Sequence, residues 1–547
     1  MLDPQGLHFC LKPAPVLKRA ISFIWPEISV PTFYSRDGFI IVQPEDQTNS
    51  TTSRQRPAPK ASLRYGCVSE STKIARLLSP QRFHRLLSGL SLAVVGLTLG
   101  WLVVRAHGQI AVRNQGYVPY SDAPINYRSQ DLSDPVAKLQ AQLAQGETAL
   151  QYEPEHGYLK SVLKLLKVPV DSQTLVFSKT SFQYKKISPE HPRALYFNDD
   201  VYVGSVHEGK AIEIVSFDPM QGAIFYLLDE HKVEHPSFQR AELDCTQCHI
   251  AAGTRGVPGV LLRSIYPTPT GTQAAGSKSF ITDQESPLKD RWGGWFITGK
   301  LGGQPHMGNT AVSSQPQTGQ SGEPSGDSLV DLSKAFDASA YLIPDSDVVA
   351  HLVLAHQTQM HNLITLTNYK TRLALYSQAA QNKAAGLPAD TLSDAARQQF
   401  ERPAEQLLRY MLFVNEAPLS GAANGRISGS SSFAKEFAAR GIRDARGRSL
   451  RDFDLKTRTF RYPCSYLIYT ESFDALPEPA KGYVYHRLLE ILTGRDQNSD
   501  FAKLSLEERQ SILEILLATK PGLPEEWRHY GRQNHIAEMR PRRSRQG

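Results

Sequence analysis

Two cysteines and a histidine near the middle of the chain stand at a spacing that suits one specific chemistry. Cys245, Cys248 and His249 form the pentapeptide Cys-Thr-Gln-Cys-His. Two thiols three positions apart can each add to one vinyl group of the same porphyrin, and a histidine directly after the second thiol can reach the iron. The motif therefore predicts one covalently attached haem of the c type.

The same residues leave two other interpretations open, half of a structural zinc site and a redox-active dithiol. A zinc site needs a second pair of ligands, and Cys464 has no cysteine or histidine close to it in the sequence. A redox dithiol is expected after a strand in a βαβ pattern, which the sequence lacks. Haem attachment is the favoured interpretation, and Cys464 is predicted to be a small buried residue.

On Cys245, Cys248 and His249 the chain resembles the c-type cytochromes. The resemblance covers those few residues, and the wider sequence also looks like large uncharacterised bacterial haem proteins. It implies thioether bonds from both cysteines and His249 as the proximal ligand of the haem iron. Small cytochromes c place a methionine about sixty residues after this motif. Met307 and the adjacent His306 are therefore the candidate distal ligands.

Other side chains could also serve a haem. His356 and Met360 lie one turn apart on a predicted helix, and His361 follows directly. A histidine on an amphipathic helix is more often a buried, hydrogen-bonded residue than an iron ligand. Arg255 and Arg291 are candidates to neutralise the haem propionates.

An uncharged apolar run from Leu86 to Val104 has the length of a membrane-spanning helix. Eight basic residues lie between positions 54 and 85, against Arg105 and Arg113 after the run, so the N-terminal side should stay in the cytoplasm. Residues 86–105 are thus predicted to be a single-pass anchor in the bacterial inner membrane, with a disordered leader at 1–85 and a periplasmic main part. A cleaved signal peptide is the alternative.

The elements that must position the motif are of mixed type, so the predicted fold class is α+β. Residues 106–150 are predicted to form a linker and a short helix, and residues 151–380 a haem domain. Strand-like runs between residues 173 and 230 predict a small antiparallel sheet directly upstream of the motif. Two of these runs flank Asp218-Pro219-Met220-Gln221-Gly222, a turn sequence that predicts a hairpin.

Glycine and proline are frequent from Gly253 to Gly308, which predicts an ordered loop packed around a cofactor. Residues 313–328 have low complexity and are expected to form a flexible surface loop. Beyond Asp345 the pattern is helical, with Ser346 as the predicted cap of a long helix.

The C-terminal part, residues 381–530, is predicted to be a mainly α-helical domain. One helix runs from Pro479 to Leu492 and stops at Gly494, and Ser505 with Glu508 forms a capping box at the start of another. Residues 531–547 are predicted to be a basic tail.

The net charge of +7 is distributed unevenly. Basic residues exceed acidic ones by six before residue 86 and by one in the remainder of the chain. The main part is therefore nearly neutral, which argues against nucleic acid as a partner.

A single haem motif on the exported side favours a membrane-anchored electron-transfer protein. Its expected partners are redox proteins of the periplasm or the respiratory chain. Two alternatives stay open: a haem-dependent periplasmic oxidoreductase or peroxidase-like enzyme, and a haem-based sensor.

Overall fold

The computed structural model describes residues 118–311, 331–420 and 425–536. The predicted leader, membrane anchor and low-complexity loop lie outside the described residues, as do residues 106–117 of the linker and the tail from residue 537. None of the helices in the three described stretches is long and apolar enough to cross a membrane.

The predicted α+β class is confirmed. The described residues form these strands: β1 (Thr174–Val176), β2 (Arg193–Phe197), β3 (Val201–Ser205), β4 (Ala211–Asp218), β5 (Gly222–Asp229), β6 (Gln239–Arg240), β7 (Leu262–Ile265), β8 (Ser279–Thr282) and β9 (Trp295–Phe296). The main sheet has seven antiparallel strands in the order β6-β5-β4-β3-β2-β1-β9, and β7 pairs with β8 separately. The chain after the motif thus returns to complete the sheet that precedes it.

The described α-helices are α1 (Pro135–Ala144), α2 (Leu159–Leu165), α3 (Glu242–His249), α4 (Val348–Ala385), α5 (Asp394–Met411), α6 (Phe433–Ala439), α7 (Glu471–Asp474), α8 (Glu478–Leu492), α9 (Leu506–Thr519) and α10 (Glu525–Gln533). The motif is carried by α3. The predicted domain boundary at residue 380 falls within α4.

The predicted hairpin is confirmed as β4 and β5, which pair from Asp218↔Gly222 to Ala211↔Asp229. Asp218 holds the turn, since its side-chain Oδ1 accepts hydrogen bonds from the backbone N–H groups of Met220 and Gln221, both at 2.8 Å. Gly222 has a φ of 71°, which a residue with a side chain adopts at a cost.

The two faces of the sheet are buried against different elements. Side chains such as Ile212 and Tyr226 point to one face and form a core with α1 and α2. Phe197 and Phe217 point to the other face, into a larger core that also contains the C-terminal helices. Helix α4 contributes side chains to both cores, so it connects the sheet to the helical part.

The cap of α4 differs by one residue from the prediction. Asp347, not Ser346, is the N-cap, and its carboxylate accepts from the backbone N–H groups of Val349 and Ala350. The Ser346 hydroxyl instead accepts from the N–H of Leu175 and donates to the carbonyl of Phe296, which ties β1 and β9 to the start of the helix. Both residue types cap helices well, so local sequence could not separate them.

The two predicted C-terminal helices are confirmed. Helix α8 ends at Leu492, and Gly494 follows with a φ of 73°. Both bonds of the capping box between Ser505 and Glu508 are present at the start of α9.

Candidate functional site

Helix α3 presents the motif at the surface of the described structure. Cys245 is half-buried and packs against the larger core, whereas Cys248 is exposed. The two thiols lie one helical turn apart, on the same side of α3. His249 is the last residue of the helix.

His249 is held in one tautomer by a backbone carbonyl. Its Nδ1 lies 2.8 Å from the oxygen of Gly259, which can only accept a hydrogen bond, so Nδ1 carries the proton. The Nε2 lone pair is then the one that a metal could take. The Phe225 ring lies 5.0 Å from the imidazole, and burial lowers the pKa of His249, which favours the neutral, ligand-competent form.

The loop that supplies this carbonyl is fixed from α4. The Asn362 side chain accepts from the backbone N–H of Val260 at 3.0 Å and donates to its carbonyl at 2.7 Å. A Cβ at Gly259 would lie 2.1 Å from the Asn362 Oδ1, so position 259 has room only for glycine. Gly259 and Asn362 therefore position His249 although neither was predicted from sequence.

A second amide on α4 holds the start of the same loop. Gln359 donates to the carbonyl of Gly253 at 2.8 Å and accepts from Arg255 Nε at 3.2 Å. Arg255, one predicted propionate partner, thus lies against α4. Arg291, the other, is buried and donates to the carbonyls of Ser286 and Gln284.

Beside α3, five side chains on one face of the central strands stay only half-buried: Arg193 and Leu195 on β2, Glu213 and Val215 on β4, and Leu227 on β5. We call these five residues the half-buried patch. Val215 lies opposite Phe225, the residue in contact with His249, and Leu227 lies opposite Glu213, so the patch adjoins the motif. Neighbouring residues on that face of the sheet are fully buried under α4. The patch is largely apolar, with one ion pair, and could receive a flat apolar ligand.

The candidate distal ligands, His306 and Met307, lie together in the loop after β9. His306 Nδ1 accepts the backbone N–H of Gly308 at 3.0 Å, and its ring packs near Trp292. Met307 Sδ accepts from the Ser264 hydroxyl at 3.6 Å. Both side chains are buried, and these contacts are with the segment that runs from β7 to the loop after β9.

The second group of candidate ligands lies inside the protein. His356 bonds Gln284 through Nδ1 and Ser465 through Nε2, at 2.6 and 2.7 Å. His361 Nδ1 bonds the Tyr202 hydroxyl at 3.0 Å. Met360 is fully buried in the larger core. His356 and His361 thus have the hydrogen-bonded core arrangement that is common for histidines on such helices.

The surroundings of the two thiols do not favour a redox dithiol or a structural zinc site. Burial, with the nearby carboxylate of Glu213, raises the pKa of Cys245 to about 12, whereas the attacking thiol of a redox dithiol has a lowered pKa. Within residues 118–311, 331–420 and 425–536, no three His, Cys, Asp or Glu side chains are grouped so that they could hold a metal ion. A haem needs no such group, because the porphyrin supplies four of its ligands.

Comparisons of the chain with protein-family models, with characterised proteins and with solved structures found no match.

Proposed function

We propose that this chain is a membrane-anchored, periplasmic c-type cytochrome that transfers electrons through one covalently bound haem. The observation that carries the proposal is the placement of His249 at the end of a helix with two thiols one turn apart, its Nδ1 proton held by the Gly259 carbonyl. This leaves Nε2 for iron, which is the arrangement a proximal histidine needs.

Each residue of the site would have a separate role toward a bound haem. Cys245 and Cys248 would hold the haem, and His249 would ligate its iron. The Gly259 carbonyl orients the imidazole and, by accepting a hydrogen bond from its Nδ1–H, makes Nε2 a stronger electron-pair donor to a metal. Bound haem supplies an iron that cycles between the ferric and ferrous states.

The place of the protein in the cell is part of the proposal. The apolar run from Leu86 to Val104 would anchor it in the inner membrane, and redox proteins of the periplasm or respiratory chain would be its partners. Cys248 is exposed, so the haem edge attached to it would be accessible to such a partner.

Co-expression of the full chain with a bacterial haem-attachment system tests the proposal. Intact-protein mass should rise by one haem, the pigment should survive denaturation, and the reduced protein should show the sharp visible bands of a low-spin c-type haem. Cys245→Ala and Cys248→Ala should each lose one thioether bond, and the double variant should lose all covalent pigment. Cys464→Ala, which alters a buried thiol away from the motif, should keep it. A wild-type chain without added porphyrin mass contradicts the proposal.

A haem-dependent oxidoreductase is the second candidate function. The observation that favours it concerns His306: its Nδ1 accepts from the Gly308 N–H, so in the neutral imidazole Nε2 carries the proton and has no lone pair for iron. An iron without a sixth protein ligand would bind small molecules. Rapid carbon monoxide binding to the ferrous protein would support this function. Low-spin spectra that become high-spin in Met307→Leu would instead identify Met307 as the distal ligand.

A further inference from the structure

Arg193 in the half-buried patch is held from one side only. Its Nη1 donates to Glu213 Oε2 at 2.9 Å. The other oxygen of Glu213 accepts from the Ser181 hydroxyl at 2.5 Å and from the Gln183 amide at 2.9 Å. Glu213 is therefore itself fixed, and it fixes the guanidinium.

The edge of the guanidinium that carries Nε faces away from the bond to Glu213. Within the described residues, Arg193 Nε is buried and has no hydrogen-bond partner. A buried N–H without a partner is unfavourable, and a suitable acceptor would stabilise it. The Nε and Nη2 groups of an arginine form the fork that binds a carboxylate through two parallel hydrogen bonds.

Gly204 allows the guanidinium to lie close to the sheet. It pairs with Leu195 on one side and with Glu213 on the other, on the face that carries the patch. A Cβ at this position would lie 3.2 Å from Arg193 Nε. The side chain of Arg193 thus lies over a strand that has no side chain of its own there.

The patch connects Arg193 with the motif. From β5, which contacts His249 through Phe225, three strand spacings of about 4.8 Å lead across the sheet to β2. The patch side chains between them are apolar except for Glu213. A haem attached to α3 and lying on this face would extend toward β2.

We propose that Arg193 is the propionate-binding residue of the haem, and that its free Nε edge pairs with one propionate carboxylate while Glu213 keeps the guanidinium in place. The inference rests on the proposed function. It replaces Arg255 and Arg291 in that role, since Arg255 Nε already bonds Gln359 and Arg291 bonds two backbone carbonyls.

The charged and titratable groups around Arg193 define the test. Glu213 on β4, His249 on α3 and Glu230 after β5 belong to this neighbourhood. Burial and the nearby Glu213 raise the pKa of Glu230 to about 7, so Glu230 would titrate in the same range as an unpaired propionate. Every protein in the test therefore carries Glu230→Gln.

The experiment measures the reduction potential of covalently loaded full-length protein from pH 5 to 8. With Arg193 present, the propionate stays ionised and the potential should change little with pH. In Arg193→Gln the desolvated propionate should titrate, so the potential should fall as the pH rises, by up to about 59 mV per pH unit for one proton and one electron. Arg193→Lys keeps the positive charge but not the two parallel N–H donors, so its potential should change with pH less steeply than that of Arg193→Gln. It replaces the glutamine variant in the test if that variant does not fold.

Arg255→Gln is the matched control and should keep the flat profile. Equal slopes with and without Arg193, or a slope that appears in Arg255→Gln instead, overturn the inference and leave the proposed function intact. A chain that acquires no covalent haem overturns both.

Discussion

At the scale of single residues, the candidate site depends on one close contact between the loop after the motif and α4. Gly259 gives its carbonyl to His249, and Asn362 holds the neighbouring Val260 through both of its backbone groups. Asn362, more than a hundred residues further along the chain, therefore helps to position the His249 imidazole that would ligate iron. Two substitutions test this contact separately from haem.

Gly259→Ala should lower the free energy of unfolding by about 1–3 kcal/mol, because its Cβ would stand 2.1 Å from the Asn362 Oδ1 and the loop would have to move. Denaturant unfolding measures the loss. Gly482→Ala on α8 is the control: a Cβ there meets nothing within 4 Å, and the exchange should be neutral or stabilising. Equal stability of Gly259→Ala and wild type would refute the contact.

Asn362→Ala should be destabilising by about 1–3 kcal/mol for each backbone group of Val260 that it leaves unbonded. Asn362→Ala also removes Oδ1, the atom with which a Cβ at position 259 would clash. Combined with Gly259→Ala, it should therefore cost less than the sum of the two single changes, by at least about 0.5 kcal/mol. Strict additivity in a double-mutant cycle would show that the two positions do not interact.

At the scale of elements, two helices begin with a side-chain cap, and the two caps have different surroundings. Ser505 caps α9 at the surface. Asp347 caps α4 in the interior, where its second oxygen also accepts from the backbone N–H and the hydroxyl of Ser431. The first cap joins residues of one helix, whereas the second also joins α4 to the segment before α6.

Ser505→Ala should lower the free energy of unfolding by about 1 kcal/mol, the usual value for an exposed cap. Asp347→Ala should cost about 3 kcal/mol or more, because it leaves several buried donors without an acceptor. Urea unfolding of both variants measures the difference. Similar losses in the two variants would mean that the buried contacts of Asp347 add nothing.

At the scale of the whole molecule, three buried histidines make the stability of the fold depend on pH. Burial lowers the pKa of His351, His356 and His361 to about 3. The unfolded chain binds these protons below about pH 6.5, so each histidine makes the fold less stable as the pH falls. Asp200 and Glu230 act in the opposite sense, because burial raises the pKa of each to about 7.

His356→Gln isolates one of these contributions. Between pH 4 and 6 the free energy of unfolding of wild type should rise with pH more steeply than that of the variant, by about 1.4 kcal/mol per pH unit, the value for one proton. Urea unfolding at several pH values gives both slopes. His235→Gln, which alters a side chain that is 91% exposed, should keep the wild-type slope. If His356→Gln keeps it as well, His356 takes up a proton in the folded state.

The sequence by itself determined the features that are encoded within a few neighbouring residues. The spacing of Cys245, Cys248 and His249, the hairpin turn at Asp218 and the capping box at Ser505 are local, because each depends on the geometry of a single turn. The α+β class followed from the same short-range periodicities. The haem, the anchor and the distal ligand are still predictions.

Only the tertiary structure decided which distant residues meet at the motif. Asn362 bonds Val260, which lies 102 positions earlier in the chain. Strand β9, which follows the motif in the sequence, pairs with β1, which precedes it. Arg193 pairs with Glu213, and its Nε has no hydrogen-bond partner among the described residues. No local pattern distinguishes Asn362 from its polar neighbours on α4, or Asp347 from Ser346 as a cap. Such choices depend on which backbone groups become buried opposite each side chain, and that is settled when the sheet, the loop and α4 pack together.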